Sequence, residues 1–413
     1  MPTLRSLIVP EGSRPDAVWL VTARALRGFV DGMVSVLLVS YLSDLGFSPG
    51  KIGVLITATL LGSAALTLGV GIFGYRLKPR RVLVFASGLM LITSLGFVSV
   101  TDFWPLLLVA FAGTLNPSSG DVSVFLPTEQ ALLTQTVAPQ QRTALFARYN
   151  LGGMFAGALG ALASGVPVYL AHRNGWDVVD AQRSGFVLYG LIAVAVAYIY
   201  SHLSPALDPD VVPRRPLEKS RGIVLQLAAI FSIDSFGGGF VVQSLLVLWL
   251  FERHGLSVET AGAVFFVAGL LSSFSQLASS WLAARIGLIR TMVYTHLPAN
   301  LFLIIAALMP SAPLAIAFLL LRTSLSQMDV PARQSYVMAM VPPEERAAAA
   351  SVTNVPRSLA SALAPALAGF LLSQTSFGWP LVLGGAIKAA YDLVLLAQFR
   401  SRRPEEELAA RPA

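Results

Sequence analysis

Apolar residues in this chain run in long blocks, not in the short alternating or one-faced patterns of a water-soluble fold. A bilayer core of about 30 Å takes roughly 20 mostly apolar residues per helix. Twelve stretches meet that need: 16–42, 49–73, 80–100, 104–127, 147–170, 184–203, 222–250, 258–282, 289–309, 313–336, 351–373 and 377–399. Two of them are interrupted. The fourth contains Asn116-Pro117-Ser118-Ser119-Gly120, and the tenth carries several charges. The first block lacks the basic start, short apolar core and small-residue cleavage site of a signal peptide, so it is read as a retained span. The pattern predicts an all-α membrane protein of twelve transmembrane helices.

Composition points the same way. The chain is 55% hydrophobic and 12% charged, with a mean hydropathy of +0.70, whereas soluble domains carry about 25% charged residues. That excludes a disordered chain and argues against a water-soluble enzyme. There are no cysteines, which removes a disulfide framework, a thiolate metal site and a cysteine nucleophile.

The net charge of +7 changes meaning once the basic residues are placed. With both termini cytoplasmic, 20 of the 29 Lys and Arg fall on that side and 4 (Lys51, Arg173, Arg183, Arg253) on the other. The remaining 5, Arg24, Arg27, Arg322, Arg357 and Lys388, lie in or at the ends of helices. The positive-inside rule then predicts a multi-pass protein of the inner or plasma membrane with both termini in the cytoplasm. The charge needs no nucleic-acid partner to explain it.

A repeat organises the helices. Gly46-Phe47-Ser48 with Gly53 returns as Gly255-Leu256-Ser257 with Gly262, an offset of 209 that also pairs Ser63 with Ser272 and Arg76 with Arg285. Pro127, Gln130, Pro139, Arg142, Asn150 and Gly165 return as Pro331, Gln334, Pro343, Arg346, Asn354 and Gly369 at an offset of 204. The polar, Pro-rich stretch Ser204–Arg221 has six predicted helices on each side. The expected domains are therefore a six-helix bundle at 1–203, a cytoplasmic linker at 204–221, a second bundle at 222–400 and a tail at 401–413. Because six is even, both copies have one orientation, which places a site at their interface near the midplane.

With these features the sequence resembles the major facilitator superfamily over nearly its whole length. The family's signature between helices 2 and 3 is matched in part by Gly71-Ile72-Phe73-Gly74-Tyr75-Arg76-Leu77-Lys78-Pro79-Arg80. The first Gly, the Arg and the final basic residue are kept; Tyr75 and Lys78 replace the family's acid and second Gly. The second copy, Ser280-Trp281-Leu282-Ala283-Ala284-Arg285-Ile286-Gly287, keeps the Arg and Gly and again lacks the acid that helps to latch the family's cytoplasmic gate. An export-associated signature survives in degraded form as Gly160–Gly165 and more closely as Ala364–Gly369; small residues at that spacing also serve plain helix packing. The overall likeness is to the drug and metabolite efflux branches.

Charged residues inside apolar blocks cost roughly 2.5–3.5 kcal/mol each at the bilayer centre on insertion scales, so each one is a candidate site. Arg24, Arg27 and Asp31 form one stripe on helix 1; Arg322, Ser326, Asp329 and Arg333 form another on helix 10. The spacing suggests pairs Arg27–Asp31, Arg322–Asp329 and Lys388–Asp392, which would be neutralised and structural or else would line a wet pathway. Asn116 and Asp121 sit at the Pro117–Gly120 interruption, where a kink would free backbone carbonyls. Asp234 precedes Gly237-Gly238-Gly239 and Gln243, a stretch able to bend. Arg76, Arg80, Arg81, Arg142, Arg285 and Arg346 are read as cytoplasmic gate residues. Trp19, Trp104, Trp249 and Trp281 read as interfacial anchors, and His172, His202, His254 and His296 as loop or helix-end residues with no metal cluster. No phosphate-binding loop, cofactor motif or Ser–His–acid arrangement stands out, so neither a cofactor nor enzymatic chemistry is expected.

The resemblance implies a monomeric secondary transporter, using alternating access in a lipid bilayer to move a small-molecule substrate. The expected form is a proton-coupled exporter with Asp31 carrying the coupling proton and Asp121, Asp234 or Asp329 as alternatives. A proton symporter or uniporter importing an anionic or zwitterionic solute is the competing expectation. A non-transporting receptor or lipid-remodelling protein is a distant one.

Overall fold

The computed structural model describes residues 8–73, 78–118, 124–207, 218–342 and 345–400. Among them the chain forms sixteen α-helices and no strands. They are α1 (Pro15–Asp44), α2 (Pro49–Phe73), α3 (Pro79–Ser99), α4 (Phe103–Ala112), α5 (Phe125–Leu133), α6 (Arg142–Ala163), α7 (Val166–Asn174) and α8 (Val178–Ser201). After the linker come α9 (Arg221–Gly239), α10 (Gln243–His254), α11 (Val258–Ile286), α12 (Leu288–Leu308), α13 (Ala312–Ser326), α14 (Asp329–Ala339), α15 (Arg346–Gln374) and α16 (Trp379–Phe399).

Among the described residues, ten helical stretches are long and apolar enough to cross a membrane. The two expected spans outside that set, 104–127 and 313–336, both break. The fourth stops at Ala112, before Asn116-Pro117, and resumes at Phe125 to run on to Leu133. The tenth breaks between Ser326 and Asp329. Adding 204 to the start of α5 gives the start of α14, so both halves interrupt the same helix at the same place. The seventh span also divides, and the reason is visible: α9 ends at Gly239, the last of three consecutive glycines, and α10 begins at Gln243.

Within each half the first helix packs tightly on the fifth. A Cβ added at Gly28 or Gly32 would collide with the carbonyls of Gly153 or Gly157 on α6, so these helices cross with their backbones touching. The second half copies the crossing: a Cβ at Gly239 would strike the Ser361 carbonyl on α15. Gly32 and Gly239 are 207 residues apart, and Gly157 and Ser361 are 204 apart.

The loops at the linker end are tied within each half. Asp16 accepts from the Ser204 amide at 2.8 Å, and Arg80 donates to the Leu203 carbonyl at 3.0 Å. The two halves meet elsewhere. At the distal end, opposite the linker, α2 packs on α15, α6 on α11, and α1 on α10. Gly53 lies against Gly369, Gly262 against Ala161, and Gly269 against Ala158. Trp19, Trp104 and Trp281 are exposed, as anchors should be, but Trp249 is fully buried beside Gly378. Its position near a helix end resembles an anchor in sequence, whereas in space it faces the second half's own core.

Candidate functional site

Arg27 in mid α1 is 1% exposed and forms a salt bridge with Glu129 on α5, which is 0% exposed. Glu129 also accepts from the hydroxyls of Tyr149 on α6 and Tyr200 on α8, the latter at 2.5 Å. Arg27 Nε donates to the Tyr200 hydroxyl at 3.0 Å, and the guanidinium lies 4.2 Å from the centre of the Phe125 ring. The carboxylate thus has a cation and two hydroxyl donors, which is what a buried charge needs.

The second half holds a larger network. Asp234 on α9 pairs with Lys388 on α16 at 2.6 Å and with Arg333 on α14 at 3.2 Å. Arg333 also reaches Asp329, one turn back on its own helix, at 3.1 Å. His296 on α12 meets Asp392 on α16 at 2.9 Å, and Asn300 donates to the same carboxylate at 3.0 Å.

These contacts correct all three pairs suggested by spacing. Arg27 pairs with Glu129 rather than Asp31, Asp329 with Arg333 rather than Arg322, and Lys388 with Asp234 rather than Asp392. Long basic side chains in a packed bundle reach carboxylates on neighbouring helices. Between Arg322 and Asp329 the helix itself is broken, so the seven-residue register does not apply.

The remaining candidates fall into place around the interface. Asn116, in the interruption of the fourth span, and the guanidinium groups of Arg27 and Arg24 act electrostatically on Asp31. Arg24 lies over the Tyr149 ring at 5.6 Å, in space that Gly153 leaves open. Gln243 donates to the Ser35 hydroxyl at 2.7 Å. The carbonyl of Pro117, freed by the break, accepts from both the amide and the hydroxyl of Ser244, at 3.1 and 2.9 Å. Ser244 Oγ also lies 2.7 Å from the Ser35 carbonyl. Arg322 is half-buried on α13, and no carboxylate among the described residues lies within ion-pair distance of it.

Among the gate candidates, Arg81 and Arg142 are exposed and Arg285 stacks on Trp281 at 3.9 Å. Asp121 and Arg76 lie outside the described residues, as does the side chain of Arg346. Glu129, Tyr149, Tyr200, Arg333, Lys388, Asp392 and His296 are the ionic-network members absent from the predicted site. Glu129 lies just past the predicted end of the fourth span, and His296, read as a helix-end residue, is buried inside α12. The offset of 204 that links Gln130 to Gln334 also links Glu129 to Arg333, and that was the available signal.

Every hydrogen bond that joins the halves among the described residues lies in the distal half. Besides those of Ser35 and Pro117, the Ala366 amide, next to Pro365 inside α15, donates to Thr57 Oγ1 at 2.9 Å. Toward the linker end, Gly69 on α2 has nothing within 4 Å of an added Cβ. This arrangement has its distal entrance shut.

Known proteins share the sequence pattern and the fold. The family model described as Major Facilitator Superfamily matches residues 20–328. An uncharacterized membrane protein of Saccharomyces cerevisiae is 26% identical, covering 91% of this chain and 92% of its own. The multidrug efflux protein YfmO of Bacillus subtilis is 23% identical, covering 93% of each chain. The crystal structure of a D-xylose-proton symporter superposes with a TM-score of 0.72 at 14% identity, over 96% of this chain and 99% of that one.

Proposed function

The chain belongs to the Major Facilitator Superfamily, and from that membership we propose that this multi-pass transporter of a small solute is a proton-coupled exporter. It works as a monomer in the cell membrane, with both termini and the linker cytoplasmic. Its six-helix halves, 1–203 and 222–400, rock about a site near the bilayer midplane. The observation that carries this reading is the distal location of every described hydrogen bond between halves. A shut outer side is what an exporter presents when it collects cargo from the cytoplasm. The efflux protein of Bacillus subtilis supports the direction.

Two ionic side chains stand apart from the sealed networks. Asp31 on α1 forms no salt bridge among the described residues, and Arg322 on α13 has no carboxylate partner among them. Opposite charges from opposite halves suit a zwitterionic or anionic organic cargo. Asp31 then also serves as the carboxylate whose protonation couples transport to the proton gradient. Arg24, Asn116 and Gln243 line the same approach.

A thermal-stabilisation screen of organic acids and zwitterions identifies the cargo, because a ligand that binds the folded state raises its melting temperature. Counterflow of that compound in liposomes, under imposed pH gradients of both signs, then reads direction and coupling. Asp31→Asn should keep counterflow and lose accumulation driven by the gradient. An Asp31→Asn variant that still concentrates the compound removes Asp31 from coupling. A gradient that drives uptake inverts the direction and favours a symporter, the activity named for the D-xylose-proton structure.

A further inference from the structure

Two neighbouring helices of the second half each bury a polar atom that has nothing to bond. Ser275 on α11 is 3% exposed, and its Oγ has no hydrogen-bond partner among the described residues. On α13 the Nε of Arg322 is also buried and also without a partner among them. A buried donor left unpaired costs the full price of its lost hydration. Two of them at one helix contact are what a site awaiting an acceptor presents.

The packing sets both atoms at one level. α11 packs on α13, and Ser279 donates to the Met328 carbonyl at 2.5 Å, in the break between α13 and α14. Ala268, Ser275 and Ser279 share one buried stripe of α11, so the Ser275 hydroxyl is turned to the side that carries this bond. Ser275 stands about 6 Å back from Ser279 along α11, and Arg322 about 9 Å back from Met328. Their depths therefore differ by only about 3 Å. Arg322 continues the buried stripe of Ala315 and Leu319, whereas Leu314 and Leu321 are exposed. It lies about 15 Å from the start of α13 at Ala312, half the thickness of a bilayer core. A cation at that depth and turned from lipid marks a solute path.

The first half shows that packing alone does not require these polar groups. At the repeat offset of 209, Ser275 and Ser279 correspond to Leu66 and Val70, which with Phe111 and Ala112 line an apolar groove between α2 and α4. One helix contact is thus built from hydrocarbon in the first copy and from hydroxyls and a guanidinium in the second. We propose that Ser275 and Arg322 form the subsite that holds a carboxylate of the cargo. The guanidinium supplies the counter-charge and the hydroxyl donates a further hydrogen bond, a donor set that suits the two oxygens of a singly charged carboxylate. A doubly charged phosphate would stay half neutralised there, so the subsite selects the carboxylate. The inference rests on the anionic or zwitterionic cargo proposed above and adds Ser275 as the residue that reads its charged end. It needs neither the proton coupling nor the export direction.

The experiment titrates benzoate into the purified full chain at neutral pH, with benzamide as the uncharged probe of the same shape, and reads the melting temperature. Benzoate should raise it in a saturable way, and benzamide should not. Without probe, Ser275→Ala should melt at or above the unaltered chain, because it deletes an unpaired buried group. The same variant should bind benzoate about tenfold more weakly, the loss expected for one hydrogen bond to a charged acceptor. Arg322→Gln should abolish the benzoate shift. A Ser275→Ala chain that melts lower without probe shows that the hydroxyl is structural and overturns the proposal. A benzoate response unchanged in Ser275→Ala or in Arg322→Gln also overturns it and leaves the anionic-cargo reading in place. Absence of any benzoate shift in the unaltered chain overturns the subsite; the cargo reading falls with it only if every organic acid and zwitterion of the screen fails as well.

Discussion

Arg27 and Asp234 stand at matching places in the two halves, 207 residues apart, and each belongs to its half's buried ion pair with the signs exchanged. The same spacing relates Gly32 to Gly239, and each of these glycines touches a carbonyl of the matching helix, at Gly157 or Ser361. Their partners, Glu129 and Arg333, are 204 residues apart, the offset of the surrounding repeat. Duplication has preserved the place of the bond and inverted its charge. In both halves it clips the first helix to the linker-side segment of the broken one, α1 to α5 and α9 to α14. What matters at this position is therefore a closed pair, with either sign on either helix.

That view makes a charge-exchange prediction. Glu129→Gln should destabilise the protein by about 3–5 kcal/mol, because Arg27 is left buried without its counter-charge. Arg27→Asp combined with Glu129→Arg writes the second half's order of charges into the first. The double variant should recover a good part of the loss, read as the melting temperature of the purified protein. A Glu129→Gln variant that melts with the unaltered chain argues that the pair is dispensable.

The glycine crossings predict a sharper contrast. Gly32→Ala and Gly239→Ala each force a methyl into a backbone carbonyl, and overpacking of that kind costs typically 1–3 kcal/mol or more. Gly69→Ala and Gly88→Ala place the same methyl in open space and should be neutral or slightly stabilising, since alanine favours a helix. Comparing melting temperatures across the four separates the crossing from helix propensity.

Much of the architecture was legible because a bilayer imposes one simple rule, a long apolar block per span. The blocks at 80–100 and 289–309 lie within a residue of α3 and α12. The interruption at Asn116-Pro117 was legible too, since proline removes a donor; the helix from Phe125 to Leu133 was not, and Glu129 fell beyond the predicted span. Ion-pair partners were the least legible feature. Spacing along one helix identifies neighbours on its surface, whereas Arg27 and Lys388 choose partners 102 and 154 residues away. Only the packing of several helices decides such contacts.

At the linker end, Glu345 predicts a pH effect outside the membrane. It accepts from the Ser220 hydroxyl, the Lys219 amide at 2.9 Å, and the amides of Ser220 and Glu218 at 3.1 and 3.2 Å. These donors, the Ser220 hydroxyl foremost, lower its carboxyl from 4.5 to about 2. A lowered carboxyl stabilises the fold fully above its unfolded value, and that stability disappears as pH falls through the folded one. The melting temperature of Glu345→Gln should therefore lie below that of the unaltered chain at neutral pH, and the gap should narrow from about pH 4.5 down to about 2. A gap of constant size over that range would mean that the ionised carboxylate is not what ties the linker to α15.

The distal contact between halves yields the most direct test of alternating access. A Cβ placed at Gly50, in the first turn of α2, lies 3.9 Å from Ser373 Cβ in the last turn of α15. Disulfides span Cβ separations of about 3.5–4.5 Å, so Gly50→Cys with Ser373→Cys should form a bond without moving the backbone. The chain has no cysteine of its own, and the new pair is free of competing thiols. Mild oxidation should join the halves, seen as two fragments that separate only under reductant once the linker is cut by a protease. Counterflow of the screened cargo should fall to background in the oxidised double variant and return with reductant, while each single variant ignores both treatments. A rigid tie across this point leaves the inner ends free to part and prevents only the opening of the distal end. Transport that continues at the unaltered rate in the fully cross-linked protein means that cargo does not pass between α2 and α15, and that the distal seal is not a gate.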